Sequence, residues 1–144
     1  MSNRKIVIQQ KNTIYITGIQ LSEFVNRCIR FQYDLYRNEN PDVQDFKRDY
    51  RDTDDYRDSM DAIMEIVSDI MTQFVQLSDD FHLMQKDALL KKVYSFDFND
   101  AMIAMMCKNS KSVLVTDDKD YINFVSDISL VTNNPQLLLF RSKH

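Results

Sequence analysis

At 144 residues, with 44% apolar and 28% charged side chains, the chain has the length and balance of one water-soluble domain with its own core. One Gly and two Pro are too few for an all-β fold of many tight hairpins, no apolar run approaches the roughly 20 residues of a membrane span, and no signal-peptide pattern opens the sequence. A formal net charge of −4 does not advertise nucleic-acid binding, and two widely spaced thiols, Cys28 and Cys107, read as small buried hydrophobes in a reducing, cytoplasmic setting.

The first apolar run is Ile6-Val7-Ile8, followed after Gln9–Asn12 by Thr13-Ile14-Tyr15-Ile16-Thr17, a buried strand by composition. The gap is too short for a parallel crossover, so Ile6–Ile8 is read as the last turns of a helix, with an antiparallel neighbour as the alternative. Gly18 ends the strand. A helix over about Gln20–Arg37 follows, with Leu21, Phe24, Val25, Cys28, Ile29, Leu35 and Tyr36 at helical spacing. Asn40-Pro41 breaks it. Asp42–Asp58 is dense in both charges and reads as a solvated helix laced with i,i+3 and i,i+4 pairs, its stripe limited to Phe46, Tyr50 and Tyr56.

Met60–Met71 is a further amphipathic helix carried by Ile63, Met64, Val67, Ile70 and Met71. Phe74–Leu77 is a short strand, and Ser78-Asp79-Asp80 caps a helix predicted through about Lys92. His82 lies in that helix's first turn, with no second His or Cys at zinc spacing, and is a surface or capping residue. Asp97-Phe98-Asn99-Asp100 opens the most apolar helix, Ala101–Cys107. The run Val113-Leu114-Val115-Thr116 then reads as a strand buried on both faces, as in parallel sheets, and stops at Asp117-Asp118-Lys119-Asp120. A short helix, Tyr121–Val125, and a last strand, Ile128–Val131, precede a tail that packs Leu137–Phe140 and turns basic. This alternation of strands and helices predicts a single α/β domain built on a parallel sheet.

Three carboxylates stand where chemistry is expected. Asp118 follows a strand, at the edge of an open α/β sheet where ligands bind. Asp100 opens a helix that is apolar nearly all round, and a carboxylate at such a mouth needs the helix dipole, hydrogen bonds or a cation to offset its burial. Asp97 sits one turn earlier. Glu23 falls opposite the apolar stripe but in what the pattern makes the first helical turn after a strand. Each has a plain alternative reading: Asp97, Asp100 and Asp118 as helix caps, and Glu23 as a solvent-facing side chain. Converging, Glu23, Asp100 and Asp118 would suit Mg²⁺ or Mn²⁺.

Thr17–Arg27 (TGIQLSEFVNR), Phe98–Met106 (FNDAMIAMM) and Val113–Tyr121 (VLVTDDKDY) together resemble consecutive motifs of the PIN-domain family, in order and over about Thr13–Leu138. The resemblance implies a three-layer α/β fold with a central parallel sheet, and an Mg²⁺- or Mn²⁺-dependent endoribonuclease, in bacteria often the toxin of a toxin–antitoxin pair. It implies Glu23, Asp100 and Asp118 as catalytic metal ligands, Asp120 as a frequent additional acid, and Thr116 as the hydroxyl before the turn. Asp97 is a possible accessory acid by its position. Family members begin with a strand that ends in Asp, whereas residues 1–22 here hold no Asp or Glu; the family's first strand and first helix are expected to be missing from this chain.

Two functions follow. In the first, the protein is an endoribonuclease with RNA as substrate and Arg27 and Arg30 as backbone contacts, working as a homodimer with an antitoxin-like partner. In the second, the same fold, short of one ligand, is an interaction or regulatory module whose exposed apolar surface associates. A phosphate-accepting receiver domain would need an acidic pair at the first strand, which this sequence lacks.

Overall fold

The computed structural model describes residues 12–90 and 97–141. The predicted helical turns at Ile6–Ile8 lie outside them. The chain is mixed α/β and divides into two compact units, one spanning Thr13–Ser78 and the other built from Asp79 onward.

In the first unit Thr17 is both the last residue of strand β1 (Tyr15–Thr17) and the cap of helix α1 (Gly18–Glu39). Its hydroxyl accepts the Gln20 N–H at 3.3 Å while Gln20 Oε1 accepts the Thr17 N–H at 3.1 Å. This reciprocal box satisfies two backbone donors that a helix start otherwise leaves open. The strand therefore turns straight into the helix, and Gly18 is the first helical residue instead of a breaker. The helix ends at Asn40, whose backbone N–H and side-chain Nδ2 both donate to the Tyr36 carbonyl.

Asp42–Asp58 is not the solvated helix that its charges predict. Asp45 Oδ1 accepts the Lys47 and Arg48 N–H groups at 2.9 and 2.7 Å, and Asp49 Oδ2 accepts those of Gln44 and Asp45 at 3.0 and 2.8 Å. Short acidic side chains thus take backbone donors from the regular ladder. What forms is one wide π-helical turn, Phe46–Tyr50, closed by the Arg51 N–H on the Phe46 carbonyl. Thr53 then caps helix α2 (Asp54–Gln73) through the Tyr56 N–H, so the tail of this stretch and the predicted Met60–Met71 helix are one element.

The turn buries what the sequence left as a weak stripe. Tyr50 is fully buried with Ile29, Tyr33 and Ile63, and Phe46, Tyr36 and Tyr56 pack around it at ring-centroid separations of 5.1–5.7 Å. Strand β2 (Val75–Leu77) follows α2 and pairs in parallel with β1, Tyr15 opposite Val75 and Thr17 opposite Leu77. Leu35, Met64 and Met71, expected to face inward, are exposed.

The second unit begins with a 3₁₀ turn (Phe81–Leu83), and then helix α3 (Lys86–Leu90). Extended backbone at Met84 separates the two, so no single helix runs from the Ser78–Asp80 cap as predicted. His82 is exposed in the 3₁₀ turn. Helix α4 (Phe98–Ser110) buries Ala101, Met102, Ile103, Ala104 and Met106, as its composition demands. Cys28 and Cys107 are each half-buried.

Strand β3 (Val113–Val115) pairs in parallel with β4 (Ser129–Val131). Only one face of β3 is buried: Leu114 is 6% exposed, but Val113 is 53% and Val115 49% exposed. The expectation of burial on both faces fails because α4 packs on β3 from one side among the described residues. The crossover carries a 3₁₀ helix (Lys119–Phe124) in place of the predicted α-helical Tyr121–Val125, and seats Tyr121 and Phe124 in the core. Helix α5 (Pro135–Arg141) starts on a proline, which suits a first helical position, and buries Leu137. Parallel pairing is thus present, in two two-stranded sheets, one per unit.

Candidate carboxylate site at the strand ends

The carboxyl ends of β3 and β4 are tied together by side chains. Beyond Val115, the Thr116 N–H continues the ladder to the Val131 carbonyl at 3.0 Å. Asp117 Oδ1 accepts the Asn133 N–H at 2.7 Å and the Thr132 hydroxyl at 3.3 Å, and Asn134 Nδ2 donates to the Asp117 carbonyl at 2.7 Å. Thr132 Oγ1 accepts the Asn134 N–H, and Asn134 Oδ1 accepts that of Gln136, which leads into α5. One carboxylate therefore staples two strand ends.

Asp118, next in line, is turned the other way. Thr116 Oγ1 accepts the Asp118 N–H at 3.1 Å, and Asp118 Oδ1 accepts the Asp120 N–H at 3.0 Å, capping the 3₁₀ helix. Asp97 caps in the same way at the start of α4, with Oδ1 on the Asn99 N–H at 3.1 Å. Asp100 is in the first turn of that helix and half-buried. Helix α4 packs against both β3 and the 3₁₀ helix. Thus Asp97, Asp100, Thr116, Asp118 and Asp120 all belong to the second unit.

Glu23 belongs to the first unit. Because α1 starts at Gly18, Glu23 is past its first turn, contrary to the sequence reading, and pairs loosely with Arg27 at 3.8 Å. The Arg30 guanidinium lies over the Phe46 ring, 4.3 Å from its centroid. Both arginines predicted to contact RNA therefore have partners within the unit. Among the described residues, no group of three or more His, Cys, Asp or Glu side chains is arranged to hold a metal ion. In Asp97 and Asp118 the cap uses one carboxylate oxygen, Oδ1, for a backbone N–H.

Asp117 is the residue that sequence reasoning passed over. Its signal was present: an Asp directly after a strand, with Thr132-Asn133-Asn134-Pro135, a turn-forming run, directly after the next strand. Nothing in one dimension shows that the two are neighbours.

Charge is divided unevenly between the units. Thr13–Ser78 holds thirteen Asp and Glu against seven Lys and Arg, so the acidity of the whole chain is concentrated there. No protein family, curated protein or solved structure compared with this chain matches it.

Proposed function

We propose that the protein is a metal-dependent endoribonuclease of the PIN type, acting as the toxin of a toxin–antitoxin pair. The supporting observation is that Asp118 and Asp120 at the carboxyl end of a parallel strand pair, and Asp97 and Asp100 at the mouth of a buried helix packed on that pair, lie in one unit. Carboxyl ends of parallel strands are where α/β folds place their ligands. In this reading Asp100, Asp118 and Asp120 of the second unit would hold Mg²⁺ or Mn²⁺, with Asp97 and Thr116 accessory, and the fold is of the three-layer PIN type. RNA is the substrate, an antitoxin-like protein the regulator, and a homodimer the working form.

The experiment is RNA cleavage with Mn²⁺ present, comparing wild type with Asp100→Asn. Cleavage by the wild type alone is expected. Equal rates in both proteins remove the proposal.

A second reading, a catalytically incomplete module for protein–protein interaction, is favoured by one observation: the first unit leaves Phe31, Leu35 and Ile66 in solvent. Sedimentation combined with Mn²⁺ titration separates the two. Tight assembly without metal uptake selects the second.

A further inference from the structure

Helices α1 and α2 pack along one another and leave an open groove of about 410 Å³ between them. Cys28 and Phe31 line it from α1, and Ala62, Ile63 and Ile66 from α2, with Asp58 at its edge. Two of these apolar side chains are held in water, Phe31 at 61% and Ile66 at 48% exposure. Keeping large apolar groups exposed costs free energy that burial against a partner would recover.

The α2 side of the groove carries one sign of charge, whereas on α1 Arg27 and Arg30 directly precede the lining residues Cys28 and Phe31. Asp58, Asp61, Glu65 and Asp69 recur on α2 at spacings of three and four, so they form one stripe along the helix. Asp61 and Glu65 directly precede the lining residues Ala62 and Ile66. All four carboxylates are exposed, and none makes a salt bridge among the described residues. Most of the unit's arginines are used elsewhere: Arg27 on Glu23, Arg37 on Asp34, Arg48 on Asp49, Arg57 on Asp54, and Arg30 on the Phe46 ring.

We infer that this groove receives an amphipathic helix of another protein, with its apolar face on Phe31 and Ile66 and Lys or Arg along the flank that meets the Asp58–Asp69 stripe. Helix-in-groove recognition needs this combination of an apolar trough and a rim of complementary charge. Two other occupants fit worse. An RNA backbone would be repelled by the stripe. A second copy seated with α2 against α2 would bring two acidic stripes together. The inference does not depend on nuclease chemistry and extends to the partner's composition whether the protein is a nuclease or an interaction module.

The test uses the full chain and a fluorescent Leu/Lys amphipathic peptide of roughly 18 residues, about 27 Å of helix, with binding read by anisotropy. A Leu/Glu peptide of the same apolar pattern and a scrambled Leu/Lys peptide are expected to bind roughly tenfold more weakly or worse. Asp61→Lys with Glu65→Lys should weaken the Leu/Lys peptide by about tenfold, and Ile66→Ser should do so with the charge unchanged. Asp42→Lys with Asp87→Lys, the same charge change outside the stripe, should leave binding as it is. All variants are at exposed positions, and unchanged thermal melts confirm their folds. Failure of the Leu/Lys peptide to bind, equal binding of the three peptides, or equal loss in the control variant overturns the inference. So does a wild-type dimer in sedimentation that Ile66→Ser dissociates, because the groove's occupant is then a second copy. None of these outcomes involves RNA cleavage, so the inference and the nuclease proposal fail separately.

Discussion

Asp117 and Asp118 are adjacent and chemically identical, yet they do different work. Asp117 holds the Thr132 hydroxyl and the Asn133 N–H of the neighbouring strand end, whereas Asp118 accepts the Asp120 N–H within its own turn. Asp117→Ala should cost about 1–2 kcal/mol, since it removes hydrogen bonds to a charged acceptor that join the two strand ends, and Asp118→Ala about 1 kcal/mol, the usual loss of a cap. Urea unfolding of the two variants checks the order. Tyr50 gives a second prediction. Burial, helped by its 2.8 Å hydrogen bond to Asp55, pushes its phenol from an ordinary 10.0 up to about 12. The raised value means that the neutral, buried form contributes fully below pH 10, where the unfolded chain's phenol is also neutral. That contribution is lost as pH rises from 10 through about 12. Tyr50→Phe should therefore flatten the alkaline fall of stability over that window, measured by melts at stepped pH.

Among the elements, the π-helical turn Phe46–Tyr50 shows how local chemistry sets tertiary packing. Its Asp49 carboxylate is held far below the usual range, first by the Arg48 guanidinium at 2.6 Å and then by the Asp45 and Gln44 N–H groups. A depressed folded value places this stabilisation above the ordinary carboxylate range and removes it as pH falls through the folded value. Asp49→Asn should lose stability at pH 7 and show a shallower acid limb than wild type, again by stepped-pH melts. Tyr50→Ala, which empties the centre of the aromatic cluster, should cost roughly 3–5 kcal/mol, in line with other large-to-small aromatic changes in cores.

At the level of the whole chain, the core of the first unit comes entirely from one uninterrupted stretch. Ile29, Tyr33, Tyr50 and Ile63 bury each other, and β1 finds its partner β2 within Thr13–Ser78. That segment expressed alone should keep its helical circular dichroism and melt cooperatively, though with the narrow margin of a small domain. A non-cooperative melt would mean that it depends on residues outside it.

Much of the secondary structure was legible because it rests on short-range rules. Period-3.6 apolar spacing gave α1 and α2, an unbroken apolar run gave α4, β-branched runs gave β1 and β3, and Asp97 announced the cap of α4. The π-turn was hidden because like-looking charges in Asp42–Asp58 do not say which carboxylate will take a backbone N–H and which will face water. The staple from Asp117 to Asn133 was hidden because its partners lie 16 residues apart and meet only once the strands pair. Local periodicity and capping are written into neighbouring residues. Which faces are covered, and which carboxylates share a pocket, is settled by contacts between distant segments, and those exist only in the folded chain.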